Sequence, residues 1–354
     1  MKLYKLEALR GLAALYVVLH HTVAEKSLSA FGVKLGFLLR FGQEAVILFF
    51  IISGFVINYS FSKSSDKSFY AYFSKRALRI YIPLACVFIL SYLIKSLSNL
   101  TWVDPDVKTL TYNIFMLQDW ELVKPNVIAS TYMDNTPLWS LSYEWWFYMA
   151  YFPLATFIKS NNIRHVTVYT IAVCSAFAYL YTPSFLPRIG MYGAIWWTGV
   201  FLADLYLDNK NINIKTVFPA IVGLALPTLV LLVPVIISMS NGSDLLLGMH
   251  PLLEFRHFSF ALVATTLAII WRYFSWKYFD LLVKPFALIA PISYTVYISH
   301  HPIMVGTGNI SNIDNPMIDW IIGITAVIIF SWCVEIVLYR KIRLHFLKHP
   351  SNTQ

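Results

Sequence analysis

The chain has 354 residues, of which 58% are hydrophobic, 17% aromatic and only 13% charged. Soluble domains carry about 25% charged and about 45–50% apolar residues, so this composition excludes an ordinary soluble enzyme. A net charge of +9 would suit nucleic acid in a soluble protein. In a membrane protein, lysine and arginine instead collect in cytoplasmic loops, so we expect no nucleic-acid partner.

Apolar runs of about 20 residues, the length that crosses a bilayer core, recur along the whole chain. They predict an all-α integral membrane protein with about ten transmembrane helices, at 7–24, 44–61, 77–97, 138–158, 166–182, 190–207, 217–239, 255–271, 284–305 and 317–339. No small-residue cleavage site follows the first run, so we expect this helix to be retained. Cys86, Cys174 and Cys333 all fall in predicted spans, which argues against a disulfide framework.

The basic residues predict the orientation. If the N-terminus is cytoplasmic, eighteen of the 27 Lys and Arg fall in cytoplasmic segments and seven in outer ones. This bias favours both termini inside and the long acidic and aromatic loop 98–137 outside. We expect one membrane domain over 1–345, a short cytoplasmic tail over 346–354, and no internal repeat.

The first span contains RGLAALYVVLHH at 10–21. Arg10 and His21 are eleven residues apart and share one helix face, whereas His20 lies about 80° around the helix. Ionisable residues within a span usually face the bundle interior or a wet cavity. A snorkelling arginine and an interfacial histidine would explain the pattern equally well.

The second span carries Glu44 at its outer end and Ser53-Gly54 near its middle. Serine and glycine within a span are often there for close helix packing, so a role of Ser53 in binding has a structural alternative.

The third span begins with SKRALRIYIP at 74–83, where the chain re-enters the membrane from the cytoplasm. Arg76 and Arg79 share a helix face beside Lys75. Paired arginines suit phosphates, which they bind through two hydrogen bonds, although such a cluster can also serve only to orient the helix.

Two later spans carry further polar groups in their outer halves. PLWSLSYEWWFY at 137–148 places Trp139 and Glu144 there, and ISYTVYISHHPI at 292–303 places Tyr297 and His300 there. Carboxylates together with histidines suit general acid–base catalysis. They suit a proton relay equally well.

Five motifs together resemble the acyltransferase-3 family of membrane O-acyltransferases, which modify bacterial surface and exported polysaccharides. In family order they are RGLAALYVVLHH, FFIISGF at 49–55, KRALRIYIP at 75–83, PLWSLSYEWWFY and SYTVYISHHP at 293–302. The resemblance implies a multi-pass protein of the bacterial cytoplasmic (inner) membrane, with the lipid bilayer as a partner. It implies transfer of an acyl group, usually acetyl from cytoplasmic acetyl-CoA, to a sugar hydroxyl, with no permanently bound cofactor and no metal.

The family's functional residues map onto Arg10, His21, Arg76, Arg79, Trp139, Glu144, Tyr297 and His300. The chain departs from the family pattern at two positions. Trp145 stands where many members have a second glutamate, and Ile47 stands where many have an acid, which leaves Glu44 as the nearest carboxylate. The sequence looks closer to the exopolysaccharide-modifying branch, and we expect no hydrolase-like domain after the last span.

The resemblance suggests a mechanism in which His21 is the general base, oriented by Glu144, or else carries the acyl group as an acyl-imidazole. Arg10 would lie on the path of the thioester. The remaining candidates divide between acyl-CoA phosphates and acceptor support: Lys75, Arg76 and Arg79 for the former, and Glu44, Ser53, Trp139, Tyr297 and His300 for the latter. The acceptor would be a polysaccharide or lipid-linked glycan.

Two alternatives remain. One is an O-acyltransferase for a lipid, peptide or antibiotic acceptor. The other is a proton-coupled secondary transporter, although the paired repeats that are common in transporters are not evident in this sequence.

Overall fold

A computed structural model shows the chain as a bundle of long helices, and it describes residues 3–25, 29–30, 33–34, 39–306 and 315–348. The long helices are α1 (Tyr4–Glu25), α2 (Gly42–Lys63), α3 (Phe69–Ser98), α5 (Trp139–Phe157), α6 (Asn161–Tyr181), α7 (Phe185–Leu207), α8 (Ile214–Ser240), α9 (Leu252–Tyr273) and α12 (Pro316–Trp332). The short helices are α4 (Val107–Ile114), α10 (Phe279–Leu282), α11 (Ser293–His300) and α13 (Arg340–Lys348). Within the described ranges the strands are limited to a two-residue antiparallel pair, β1 (Ser29–Ala30) and β2 (Val33–Lys34).

The all-α prediction is confirmed, and each of the first eight predicted spans corresponds to one long helix. Within the described ranges, six helical segments are long and apolar enough to cross a membrane. They are Gly42–Lys63, Phe69–Ser98, Asn161–Tyr181, Ile214–Ser240, Leu252–Tyr273 and Pro316–Phe346. A total of ten spans, and the side of the membrane on which each terminus lies, stay predictions.

The predicted ninth span, 284–305, is not one helix. It divides into a 3₁₀ segment at Lys284–Leu288, helix α11, and a π-helical turn at His301–Val305. Proline explains the division, because Pro285 and Pro291 lack the backbone N–H that a continuous helix needs and restrict the residue before them. The interruption leaves the carbonyl of Ala290 available to side chains.

Small residues bring α2 and α7 into close contact. A Cβ atom added at Gly54 would lie 2.0 Å from the carbonyl oxygen of Trp196, and one at Gly199 would lie 1.9 Å from that of Ile51. The two backbones touch where these glycines lie, as expected for helix packing in membranes. Gly54 therefore serves packing, while its neighbour Ser53 faces a cavity.

The orientation can be tested by cysteine labelling in a background where Cys86, Cys174 and Cys333 are serine. A cysteine at the exposed position Lys108 should react with an impermeant maleimide on intact cells. A cysteine at the exposed position Ser65 should react only after permeabilisation, because the positive-inside rule places the α2–α3 loop in the cytoplasm. The reverse pattern would contradict the predicted orientation.

Candidate functional site

A cavity of about 300 Å³ opens among α1, α2, α3, α5, α11 and α13, and we call it the arginine cavity. This volume lies at the lower end of the range for small-molecule sites. Among the described residues, the charged side chains that line the cavity are five basic groups and one carboxylate: Arg10, Lys75, Arg76, Arg79, Arg343 and Glu144. This excess of positive charge suits an anionic ligand.

Arg76 and Lys75 lie in the first turns of α3, where the chain enters the bundle. The Arg76 Nη2 donates to the Ser60 hydroxyl at 3.3 Å, and its buried Nε has no partner in the described part of the chain. The Lys75 Nζ donates to the Ser64 hydroxyl at 3.4 Å. Within the described residues, the hydrogen bonds that both cations make are long ones to neutral hydroxyls, so they keep hydrogen-bonding capacity for a phosphate.

Arg79 is held differently. Its guanidinium forms an ion pair with Glu335, and it lies over the rings of Tyr294 and Tyr339 at 5.5 and 5.4 Å. The other oxygen of Glu335 accepts from the Thr295 hydroxyl at 3.0 Å. Arg79 is therefore a fixed part of the cavity wall, and its charge is already balanced.

Glu335 is a buried carboxylate that is not among the site residues predicted from the sequence. It lies in the π-helical segment Cys333–Tyr339, and its side chain is 1% exposed. The sequence does contain a signal for Glu335, since a carboxylate inside an apolar run usually has a specific partner.

Arg10 lies in the same cavity and is anchored to the interrupted ninth segment. Its Nη2 donates to the Ala290 carbonyl at 2.8 Å, and its buried Nε has no partner among the described residues. The break at Pro291 thus exposes the Ala290 carbonyl that fixes the Arg10 guanidinium, while the Arg10 Nε–H remains available as a donor.

Glu144 also lines the arginine cavity. Its Oε1 accepts from the Ser53 hydroxyl at 2.7 Å and from the hydroxyl of Tyr148. Ser53 in turn accepts from the Trp196 indole N–H at 3.2 Å. The carboxylate is therefore a fixed polar element of this cavity.

His21 lines a second, smaller cavity, which we call the histidine cavity. Its ring centroid lies 5.3 Å from that of His300 and 6.1 Å from that of His301. Because Glu144 belongs to the arginine cavity and is bonded to Ser53 and Tyr148, it does not orient His21 by direct contact. The expected His21–Glu144 pair is thus absent from this structure, and histidine rings surround His21 instead.

Tyr297 separates the two cavities, and together with Val46 it lines both. Its hydroxyl donates to the Pro137 carbonyl at 2.8 Å and lies 2.8 Å from the Ser140 hydroxyl. This side chain fastens α11 to the start of α5 and forms the shared wall across which the cavities meet.

His20 and His21 face different neighbours, as their helical spacing predicts. The His20 Nδ1 forms a hydrogen bond with the Leu39 carbonyl, and its ring packs where a Cβ atom at Gly42 would collide with it. His20 therefore braces the start of α2, whereas His21 reaches the histidine cavity.

His300 is fully buried behind His21. Its Nδ1 lies 3.3 Å from the Val296 carbonyl, and its Nε2 has no partner among the described residues. Because a carbonyl oxygen can only accept, Nδ1 is the donor in this contact.

Trp139 forms one wall of the histidine cavity, and the ammonium of Lys124 packs against its indole ring. The Nζ of Lys124 lies 3.5 Å from the Trp139 ring centroid and 2.7 Å from the carboxylate of Asp119. Burial of Lys124 in the loop before α5 lowers the pKa of its ammonium to about 8, against the opposing effect of Asp119. The ammonium is thus charged at neutral pH and attracts the indole face.

Glu44 belongs to neither cavity. Its carboxylate forms an ion pair with Arg256 on α9, and Gln43, one residue earlier, lines the histidine cavity. Glu44 therefore contacts neither cavity and does not have its predicted supporting position. The side-chain amide of Gln43 lies in that position instead.

The fold and cavities define a helical membrane protein with a strongly basic cavity beside a histidine-lined one. A family model described as an acyltransferase domain matches residues 3–337, so the chain belongs to the acyltransferase-3 family. It is similar to a protein named acyltransferase MdmB from Streptomyces mycarofaciens, at 35% identity over 159 residues. That match covers 44% of this chain and 39% of the relative's length. No solved structure matches the chain.

Proposed function

We propose that this protein is a multi-pass O-acyltransferase of the bacterial cytoplasmic membrane. It takes an acyl group, most simply acetyl, from cytoplasmic acetyl-CoA and transfers it to a hydroxyl of a surface or exported polysaccharide or its lipid-linked precursor. The observation that supports this proposal best is the shared wall of Val46 and Tyr297. It sets a basic donor cavity directly beside the histidine cavity in a chain of this family.

The arginine cavity suits the donor. Acyl-CoA carries several phosphate charges at one end and an uncharged thioester at the other. Lys75 and Arg343 are exposed cations of this cavity, whereas Arg76 and Arg10 are partly buried. The phosphates would bind Lys75, Arg343 and the neighbouring Arg76, and the thioester would extend past Arg10 toward Tyr297.

The histidine cavity suits the acceptor. A sugar hydroxyl needs a base at neutral pH, and His21 is the imidazole on that cavity's wall. His21 accepts the hydroxyl proton while the oxygen attacks the thioester carbonyl. The acyl–sulfur bond breaks as the acyl–oxygen bond forms, and the proton passes from His21 to the departing thiolate. A two-step route through an acyl-imidazole uses the same groups.

The proposed function can be tested with inverted membrane vesicles and radiolabelled acetyl-CoA. Label should enter the polysaccharide or lipid-linked glycan fraction with the wild-type protein and not with His21→Ala. Label found only in phospholipid, peptide or a small extractable product would contradict the polysaccharide acceptor and identify that other molecule as the acceptor. Vesicles that consume no acetyl-CoA but accumulate a solute with protons would contradict the proposed function.

Arg76→Ala should weaken acetyl-CoA binding about tenfold or more, because one charge-assisted hydrogen bond contributes about 1.5–3 kcal/mol. Arg76 is a cleaner choice than Arg79, since removal of Arg79 would also leave Glu335 unpaired. The measurement is titration of acetyl-CoA into the purified protein in nanodiscs.

The matched control is Arg272→Ala, which removes an exposed cation that does not line the arginine cavity. Its affinity should equal that of the wild type. If both variants bound acetyl-CoA as tightly as the wild type, Arg76 would not bind its phosphates and would serve only to orient the helix.

A further inference from the structure

A groove of about 900 Å³ lies between the start of α8 and the end of α9, and we call it the interfacial groove. Both helices are long and apolar enough to cross a membrane, and they pack against each other. Lys215 lies in the first turn of α8 and Arg272 in the last turn of α9, so both cations lie at the same end of this helix pair. The positive-inside rule places that end at the cytoplasmic surface.

The lining of the interfacial groove changes from charged to apolar along α9. Arg272 lies at the end of the helix, Ile269 and Ile270 lie two and three residues earlier, and Thr266 lies six residues earlier. At 1.5 Å per residue, the wall extends about 9 Å from Arg272 toward the middle of the span. The Thr266 hydroxyl donates to the carbonyl of its own helix at Leu262, at 2.9 Å, so this wall offers no free polar group.

The cations at the charged end have no anionic partner. The described residues supply neither the Lys215 nor the Arg272 side chain with a hydrogen bond or an ion pair. A third cation, Lys5, lies beside the groove, with its Nζ 4.7 Å from the ring centroid of the lining residue Trp276. Lys5 and Arg272 repel each other, and Asp280 attracts Lys5. The resulting excess of positive charge favours an anionic ligand.

Aromatic side chains mark the same level of the groove. Tyr273 and Trp276 both line it, and these two residue types are enriched where a membrane meets water. A soluble anion would match the cations and leave the isoleucine wall unused, whereas an uncharged lipid would match the wall alone. A phosphate attached to hydrocarbon chains matches both parts.

We propose that the interfacial groove binds an anionic phospholipid of the cytoplasmic leaflet. The phosphate lies between Lys215 and Arg272, and the first part of an acyl chain lies along Ile269 and Ile270. Basic pockets between transmembrane helices on the cytoplasmic side bind anionic headgroups in this way. Among the described residues, the groove shares no lining residue with the arginine cavity or the histidine cavity, so this site is independent of acyl transfer.

The test is native mass spectrometry of the delipidated protein titrated with phosphatidylglycerol, with zwitterionic phosphatidylethanolamine as the second probe. Lys215→Gln combined with Arg272→Gln should weaken phosphatidylglycerol binding about thirtyfold, because each cation at an anionic lipid surface contributes about fivefold. Binding of phosphatidylethanolamine should change less than about threefold, since this lipid carries no net charge.

The matched control is Lys67→Gln combined with Lys159→Gln, which removes two exposed cations that do not line the groove. It should bind phosphatidylglycerol as the wild type does. An equal loss in the control pair would show that general surface charge attracts the lipid, and would overturn the site.

A second variant tests the apolar wall while both cations remain. Ile270→Trp, at an exposed position, should fill the groove and weaken phosphatidylglycerol binding. Leu267→Trp, at an exposed position of the same helix outside the groove, should not. Unchanged binding in Ile270→Trp would overturn the proposed place of the acyl chain.

Thermal unfolding provides an independent readout, because a ligand that binds only the folded protein stabilises it. Phosphatidylglycerol should raise the unfolding temperature of the wild type and of both controls, and not that of the variant without Lys215 and Arg272. Glycerol 3-phosphate, which has the phosphate without the chains, should raise none of them. If it bound the wild type as tightly as phosphatidylglycerol does, the groove would be a site for a soluble anion and the lipid proposal would be wrong.

Discussion

His21→Ala should abolish acyl transfer, with a loss of about 10²–10⁴-fold, the usual contribution of a positioned general base. His20→Ala should lower the rate less than about fivefold, because the His20 ring braces Leu39 and Gly42 and does not line the histidine cavity. The measurement is incorporation of labelled acetyl at matched amounts of protein in the membrane.

The paired variants make this a sharp comparison, since both remove one imidazole from the same turn of α1. If both variants lost acyl transfer equally, the assignment of His21 as the catalytic histidine from its helix face would be contradicted. If only His20→Ala lost acyl transfer, His20 would be the catalytic histidine. Intact-protein mass spectrometry tests whether an acyl group becomes covalently attached to His21. An acyl adduct that depends on His21 would establish the two-step route, and its absence during rapid turnover would favour direct transfer.

Glu335→Ala should lower the free energy of unfolding by about 1.5–3 kcal/mol, the contribution of one hydrogen bond to a charged group, because Glu335 is buried while Arg79 is 28% exposed. Among the described residues, Arg79 would keep the aromatic faces of Tyr294 and Tyr339, and Thr295 would lose its acceptor. Acetyl-CoA binding should weaken as well, because the wall of the arginine cavity loses its fixed geometry. Unfolding in mixed detergent and titration of acetyl-CoA measure the two effects.

Asp134→Asn is the control for stability, because the Lys95–Asp134 pair has side chains that are 39% and 81% exposed. Such exposed pairs contribute about 1 kcal/mol or less. The double variant Arg79→Leu with Glu335→Ala should recover stability without recovering acetyl-CoA affinity. An unchanged unfolding free energy in Glu335→Ala would show that the pair does not stabilise the fold.

The sequence by itself determined the membrane class and the positions of most helices. Apolar length is a local property, and a run of about 20 apolar residues has few other stable conformations in a bilayer. The five motifs likewise identified the family, because each is a short local pattern: four lie within one helix or at its start, and the fifth runs from α11 into the π-helical turn that follows it. The helical spacing of His20 and His21 was enough to separate their faces.

Tertiary structure decided which polar groups meet. The ninth span divides at prolines, and the carbonyl of Ala290 that this exposes holds Arg10. Glu144 was expected beside His21 but lies across the shared wall with Ser53, since its partner depends on how α2 and α5 pack. Arg79 pairs with a carboxylate 256 residues later in the chain, and Gln43 replaces Glu44 at the histidine cavity. A hydrogen bond between distant helices depends on their relative rotation and depth, and neither the apolar length nor the spacing within one helix encodes these.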